Sequence, residues 1–385
     1  MKNWKRILST GLSVALGVTM LAGCGKQGGS DKFYIGGIGP TTGGAAIYGS
    51  AVMNAAQIAV DEINAAGGIN GYQVEYRFED DTHDAEKSVN AYNTLKDWGM
   101  QILMGTVTTT PCLAVKTETA ADNMFQITPS ASSEDVISDN DNVYQVCFTD
   151  PNQGKKSAQY IDEHGLSESG IAIIYNSSDT YSTGIYTTFK SEAQARGLNI
   201  VSDTAFTEDT KTDFSTQIQK AMDAGADLVF LPIYYEAASL ILSEADKKGY
   251  YPTFFGVDGM DGILTLEGFD TSLAEGVMLL TPFSADAPDA KSFVDTYQAK
   301  YKDVPNQFGA DAYDAIYIIK AALEAGKATP DMSTSDLCNL LKTQMKTLTY
   351  EGGLTGDAMV WDENGAVNKD PKAVVIQNGV YVSAE

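Results

Sequence analysis

The stretch Ile35-Gly36-Gly37-Ile38-Gly39-Pro40-Thr41-Thr42-Gly43-Gly44-Ala45-Ala46-Ile47-Tyr48-Gly49 has the outline of a phosphate-binding βα unit. The apolar run Phe33 to Ile38 reads as a strand. A glycine-rich turn follows, and helical periodicity begins beyond it. The details exclude phosphate. G-x-G-x-x-G from Gly37 and Gly39 needs glycine at 42, where Thr42 stands. G-x-x-x-x-G-K fits Gly39 to Gly44 but then meets Ala45 rather than lysine. Arg77 is the only cationic residue between Phe33 and Glu86. The loop offers amides, two threonine hydroxyls and Tyr48, which suits a smaller and less charged ligand.

Upstream of this unit the chain is organised for export. Lys2, Lys5 and Arg6 precede the apolar stretch Ile7 to Ala22, which is shorter than the ~20 residues of a membrane span. Leu21-Ala22-Gly23-Cys24 then resembles a bacterial lipobox, with cleavage before Cys24 and lipid on its thiol. The alternative is an ordinary signal peptide with an incidental cysteine. Residues 1–23 are thus expected to be a lipoprotein signal peptide. Residues 24–31 form a polar, glycine-rich tether. The remainder is a body held at the extracytoplasmic face of the cell membrane.

About 360 residues follow the signal segment, enough for two domains. The formal charge is −25, and losing Lys2, Lys5 and Arg6 makes it about −28. Nucleic acid is excluded at that charge, because binding it requires cations on phosphates. Besides Cys24 there are Cys112, Cys147 and Cys338, at spacings that match no zinc motif; they read as small buried residues. The two histidines, His83 and His164, lie far apart. No metal site and no cofactor is expected.

From Phe33 onward, short apolar runs alternate with amphipathic segments. Strands are expected at 33–38, 74–78, 101–104, 125–128, 171–175, 200–206, 228–231 and 254–257. Helices are expected between them, including 48–65, 214–224, 237–247, 290–301 and 310–325. This alternation implies parallel sheets covered on both faces. The plan occurs twice: a strand, a loop with Tyr48, a helix and Gly67-Gly68, then Ile171–Tyr175, a loop with Tyr181, a helix and Gly197. Two similar α/β lobes are the expected architecture. Ligands of such sheets bind beyond the carboxyl ends of the strands. The loops there are Gly105 to Pro111, Thr128 to Ser133, Asn176 to Tyr181, Pro232 to Glu236 and Gly256 to Asp261. Together they present hydroxyls and amides on one side, tyrosines and carboxylates on the other. Such faces complement a zwitterion with a side chain.

These segments carry a resemblance. "IGPTTGGAAIYG", "AAQIAVDEINAAGGINGYQVEYRFEDD", "ITPSASS", "DTYSTG", "KTDFSTQIQKAMDAGADLVFLPIYYEAA" and "FGVDGMDG" are similar to the solute-binding proteins of branched-chain amino acid ABC transporters, the leucine/isoleucine/valine group. The likeness spans nearly the whole chain after the tether. It implies a type I periplasmic binding protein: two Rossmann-like lobes with parallel sheets, joined by a three-strand hinge. Lobe one would hold 32–149 plus 282–352, and lobe two 150–281 plus 353–385. It also implies roles for residues. Hydroxyls and amides at Thr108 and Thr109 would take the ligand carboxylate. Ser130, Ala131 and Ser132 would supply a carbonyl and a hydroxyl. Tyr48 and Tyr181 would flank the ligand from opposite lobes, with Tyr234 and Phe308 nearby. Asp258 would pair with the ammonium, with Asp261 as a second candidate.

The chain departs from that family in two places. Some members carry a disulfide at the positions of His83 and Thr108, which cannot form here. Asp258 stands where glutamate is common. The expected function is an extracytoplasmic receptor, a monomer, that captures a small amino acid, Leu, Ile or Val by resemblance, and delivers it to an ABC permease. The alternatives are a sensor module for an amino acid or related amide, and a hydrolase. A signalling receptor would carry a membrane span and an intracellular domain. A hydrolase would need a nucleophile motif such as G-x-S-x-G, which is absent.

Overall fold

The structure is a computed structural model that describes residues 31–384. Cys24 and the signal segment fall outside the described residues. The chain begins with β1 (Lys32–Gly39), α1 (Ala46–Ala65), β2 (Gln73–Asp80), α2 (Ala85–Trp98), β3 (Ile102–Gly105), α3 (Thr109–Asp122), β4 (Phe125–Thr128) and β5 (Val143–Gln145). These five strands form one parallel sheet in the order β2-β1-β3-β4-β5. Burial follows from sequence: β3 and β4 are buried along their whole length, as central parallel strands must be.

There follow α4 (Asp150–Glu163), β6 (Ile171–Asn176), α5 (Thr180–Arg196), β7 (Ile200–Phe206), α6 (Ser215–Asp223), β8 (Leu228–Leu231), α7 (Tyr235–Lys248), β9 (Thr253–Gly256) and β10 (Met278–Thr281). Next come α8 (Lys291–Tyr301), α9 (Gln307–Ala325), α10 (Thr334–Met345), β11 (Tyr350–Glu351), β12 (Ala358–Met359), β13 (Lys372–Gln377) and β14 (Val380–Ser383). The second sheet runs β14-β13-β10-β9-β8-β6-β7. Helices α8 and α9 return to the first unit, where Phe283, Phe293, Val294, Tyr297 and Ala310 pack on Ala55 and Ile58 of α1.

The sheets are not wholly parallel, which corrects the expectation. At one edge of the second sheet β13 runs antiparallel to β10, and β14 antiparallel to β13. The β13–β14 turn is Asn378-Gly379, both at positive φ (54° and 74°), the signature of a two-residue hairpin. The pattern reading also omits β5 and β10, which are only three and four residues long.

The opening glycine-rich stretch is not a cradle. Gly36, Gly37 and Gly39 lie inside β1, and Gly43 alone among its glycines has positive φ. The turn's donors are already used: Thr41 N–H and Thr42 Oγ1 bond the Asp80 carboxylate at 2.9 and 2.6 Å. The Thr41 amide and the Thr42 hydroxyl therefore serve the fold, contrary to the sequence reading, and neither threonine lines the pocket described below. Tyr48, one turn into α1, faces elsewhere.

Helix ends follow sequence signals. Asp84, Thr149, Asp179, Asn306 and Ser333 cap α2, α4, α5, α9 and α10 through their side chains, each worth about 1 kcal/mol. Gly99, Gly197 and Gly249 close α2, α5 and α7 in the left-handed conformation. Among the described residues no helix is long and apolar enough to cross a membrane.

Candidate functional site

The carboxyl ends of the two sheets face each other across a seam. Tyr48 reaches across it from α1, donating its hydroxyl to Gly259 O beyond β9 and accepting the N–H of Tyr235 at 3.3 Å. Ile47 N–H bonds Tyr235 Oη at 3.4 Å, and Gln307 N–H bonds Asp261 Oδ2 at 2.9 Å. The units are thus in contact, as a closed form.

A small pocket lies within that seam. It is lined by Tyr48, Val107, Thr108, Thr109, Ser130, Tyr181, Tyr234, Asp258, Gly259 and Phe308. Eight of the ten ligand-contact residues expected from the sequence meet there. Ala131 and Ser132 lie buried in the turn that carries Ser130. Free space is about 10 Å³, room for one water, because aromatic rings fill it. Tyr181 stacks on Tyr234 with centroids 4.7 Å apart, and Tyr48 packs on Phe308 at 4.4 Å. Gly259 is needed beside them: a Cβ there would stand 2.6 Å from Tyr181 Oη and 2.9 Å from Ile233 O.

The pocket lining and the turn that carries Ser130 hold neutral donors. Thr109 and Ser132 are each 1% exposed, and neither hydroxyl has a hydrogen-bond partner. Burying such groups unpaired is costly, so both are disposed to serve a ligand. The neighbouring hydroxyls are engaged in the fold. Ser130 Oγ donates to Val107 O at 2.6 Å. Thr128 Oγ1 donates to Thr106 O at 2.6 Å and accepts Ala131 N–H at 2.9 Å. Ala131 O accepts from Gln145 Nε2.

The pocket also contains an acid. Asp258, 3% exposed, accepts the Tyr181 hydroxyl at 2.5 Å, and its N–H bonds Gln153 Oε1 at 3.3 Å. Burial pushes its carboxyl up to about 7. Asp261 is also raised by burial, to about 6, but its carboxylate is committed to Gln307 N–H at the start of α9 and does not line the pocket. Position therefore separates Asp258, the acid preferred from the sequence, from Asp261, its second candidate.

Pattern reading missed α4. Asp150 and Gln153 stand one turn apart, both buried, and each has an unpartnered side-chain atom. Burial holds the Asp150 carboxyl well above its usual range, with the Asp258 and Asp179 charges adding to the rise. Ser132 Oγ lies beside it without the geometry of a hydrogen bond. In the sequence, Asp150 reads as an ordinary first-turn acid, so no signal marked it.

His83 and Thr108, where a disulfide was ruled out, are joined by a hydrogen bond: Nδ1 and Oγ1 are 2.8 Å apart. The His83 ring meets Tyr234 edge-on at 5.6 Å. Burial lowers its pKa, favouring the neutral ring. Cys112, Cys147 and Cys338 are free and buried, and among the described residues no cluster suits a metal ion.

Two α/β units meeting over such a pocket invite comparison with known proteins. A family model described as periplasmic binding protein matches residues 32–379. The chain belongs to the periplasmic binding protein family. Within it, the chain is 28% identical to Leu/Ile/Val-binding protein homolog 3 of Brucella melitensis, over 86% of this chain and 92% of that one. It is 30% identical to the Leu/Ile/Val-binding protein BraC3 of Rhizobium johnstonii, over 84% and 88%. Among solved structures, it is similar to the branched-chain amino acid transporter substrate binding protein LivJ of Streptococcus pneumoniae, crystallised with isoleucine. That match has a TM-score of 0.83 and 26% identity, covering 92% of this chain and 99% of that one. All three relatives are named for binding, none for catalysis.

Proposed function

We propose that this chain is the extracytoplasmic receptor of an ABC transporter, capturing an α-amino acid between its two units for delivery to a permease. The observation that carries the reading is the polarity of the pocket. The unpartnered Thr109 hydroxyl and the Asp258 carboxylate both line it together with aromatic rings, and the buried, unpartnered Ser132 hydroxyl lies in the turn that carries Ser130. Hydroxyls and amides accommodate a carboxylate, Asp258 an ammonium, and Tyr48, Tyr181, Tyr234 and Phe308 a side chain. The relatives' names favour a branched-chain ligand. The rings must part for entry, which the seam permits if the units swing about the crossings near 149–152, 281–282 and 352–354. On this reading lobe one comprises 32–149 and 282–352, and lobe two the remainder. Lipid on Cys24 would keep the receptor beside its permease.

A thermal-shift screen of the twenty amino acids tests this. A ligand at 100 times its dissociation constant adds ~2.7 kcal/mol. Leucine, isoleucine or valine should stabilise the protein. A flat response to all twenty would overturn the reading.

A further inference from the structure

A second cavity, of about 280 Å³, lies on the same seam as the small pocket. Gly44, Thr82 and His83 line it from the first unit, and Asp179, Glu208 and Glu236 from the second. On the amino-acid reading a branched side chain would end among the aromatic rings of the inner pocket, which leaves this cavity unassigned. Yet the partition between the two spaces is thin. Tyr234 lines both. His83, which lines the outer cavity, is hydrogen-bonded to Thr108, which lines the inner pocket. Neither element is covalently locked, and Tyr234 is only half-buried.

We propose that the ligand's side chain passes between Tyr234 and the His83–Thr108 pair into this outer cavity, so that the receptor takes amino acids with a long side chain ending in N–H donors. The proposal rests on the amino-acid reading of the inner pocket and names the ligand class within it. The chemistry of the outer wall selects the tail. Carboxylates of Asp84, Asp179, Glu208 and Glu236 face only two cations, Lys87 and Lys211. Lys211 is occupied by Glu208 at 3.0 Å and Glu236 at 3.4 Å. Lys87 Nζ donates to Thr82 Oγ1 at 2.9 Å. Asp179 is 6% exposed and caps α5 through a long, 3.4 Å bond from Ser182 N–H. Glu208 is met by Lys211 and by Asn176 Nδ2 at 2.6 Å, but across Asp84, Asp179 and Glu236 acceptors exceed donors, and a ureido, guanidinium or amide tail would supply what is missing. An apolar tail of equal length would leave those acceptors unmatched, and a carboxylate tail would be repelled.

Calorimetry on the full mature protein tests this with L-leucine, L-norleucine, L-citrulline and L-arginine. Citrulline or arginine should bind at least tenfold more tightly than norleucine. Ala237→Phe, which fills the outer cavity from the first turn of α7, should reduce that advantage below threefold while leaving leucine within threefold of wild type. If that variant does not fold, Asp179→Asn, which retains the cap, should weaken arginine at least tenfold and leave leucine unchanged. Leucine binding with citrulline and arginine at least a hundredfold weaker would overturn the proposal and spare the amino-acid reading. So would long-tailed ligands indifferent to both substitutions. Failure of all four ligands would overturn both readings together.

Discussion

The Tyr181 hydroxyl donates to Asp258 Oδ1 at 2.5 Å, across 77 residues of sequence, and the same oxygen of Tyr181 accepts Gly259 N–H at 3.0 Å. This pair orients the one pocket-lining carboxylate. If it receives a ligand ammonium, Asp258→Asn preserves shape and removes the charge. Binding should weaken by ~2–5 kcal/mol, roughly thirty-fold to several thousand-fold. Titration calorimetry measures this. Asp261→Asn, which disturbs the Gln307 contact instead, should have the smaller effect on affinity. The reverse ranking would move the ammonium site.

The pH dependence has a defined direction. Burial raises Asp258 to about 7, and an ammonium pairs with its ionised form. Affinity should be full above about 7 and fall by up to about tenfold per pH unit below it. Asp258→Asn should flatten that profile. Stability without ligand runs the other way. Asp81, Asp258 and Asp261 have folded pKa values raised to about 7, 7 and 6, each mainly by burial. Their protonated forms favour the folded state fully below the ordinary carboxylate value, about 3.9, and that contribution is lost as pH rises through 6 to 7. The melting temperature of the unliganded protein should therefore be higher at pH 5 than at pH 7.5. A melting temperature that rises over this interval would contradict these assignments.

Lys369 is 5% exposed and sits 2.7 Å from Asp311 and 2.5 Å from Thr355 Oγ1. Asp314, one turn along α9, accepts the N–H groups of Leu354 and Thr355 at 2.9 and 3.0 Å. Helix α9 thereby pins the segment that leads to β13. Lys369→Met leaves Asp311 buried without its cation and should cost about 3–5 kcal/mol, read by urea unfolding. A loss below about 1 kcal/mol, the range of exposed pairs, would show that the pair contributes little.

Gly259→Ala places a methyl against Tyr181 Oη and Ile233 O. Overpacking of this kind costs about 1–3 kcal/mol. Because Tyr181 lines the pocket, affinity should fall along with the melting temperature. A variant of unchanged affinity would show that the Tyr181 position is not held from this side.

Cys24→Ser should leave folding intact and move the protein from the membrane fraction to the soluble one, as judged by fractionation and mass spectrometry of the N-terminus. A variant that remains quantitatively membrane-bound without lipid would remove the lipoprotein assignment.

Much of this protein is legible in its sequence. The apolar runs of β1, β4, β7 and β8 and the helical spacing of Val52, Ala55, Ala56, Ala59 and Ile63 are local patterns, set by backbone geometry within a few residues. Their alternation implies parallel α/β units, and parallel units place ligands at strand ends. That chain of inference, with the family resemblance, reached Tyr48, Thr109, Tyr181 and Asp258. The Asn378-Gly379 hairpin is passed over in the sequence reading, and strands as short as β5 give periodicity too little length to register.

Tertiary structure decided which of several equivalent residues face the seam. Thr41 and Thr42 are as polar as Thr108 and Thr109, but Asp80, brought alongside by β1–β2 pairing, takes the Thr41 N–H and the Thr42 hydroxyl. Asp258 and Asp261 are three residues apart, and only the approach of Gln307, 46 residues beyond Asp261, assigns Asp261 to the α9 terminus. Asp150 and Gln153 became pocket neighbours because α4 follows a crossing between the sheets, and His83 meets Tyr234 from the other unit. Hydrogen-bond partners and burial at such places depend on contacts closed over long loops, and no local pattern carries that information.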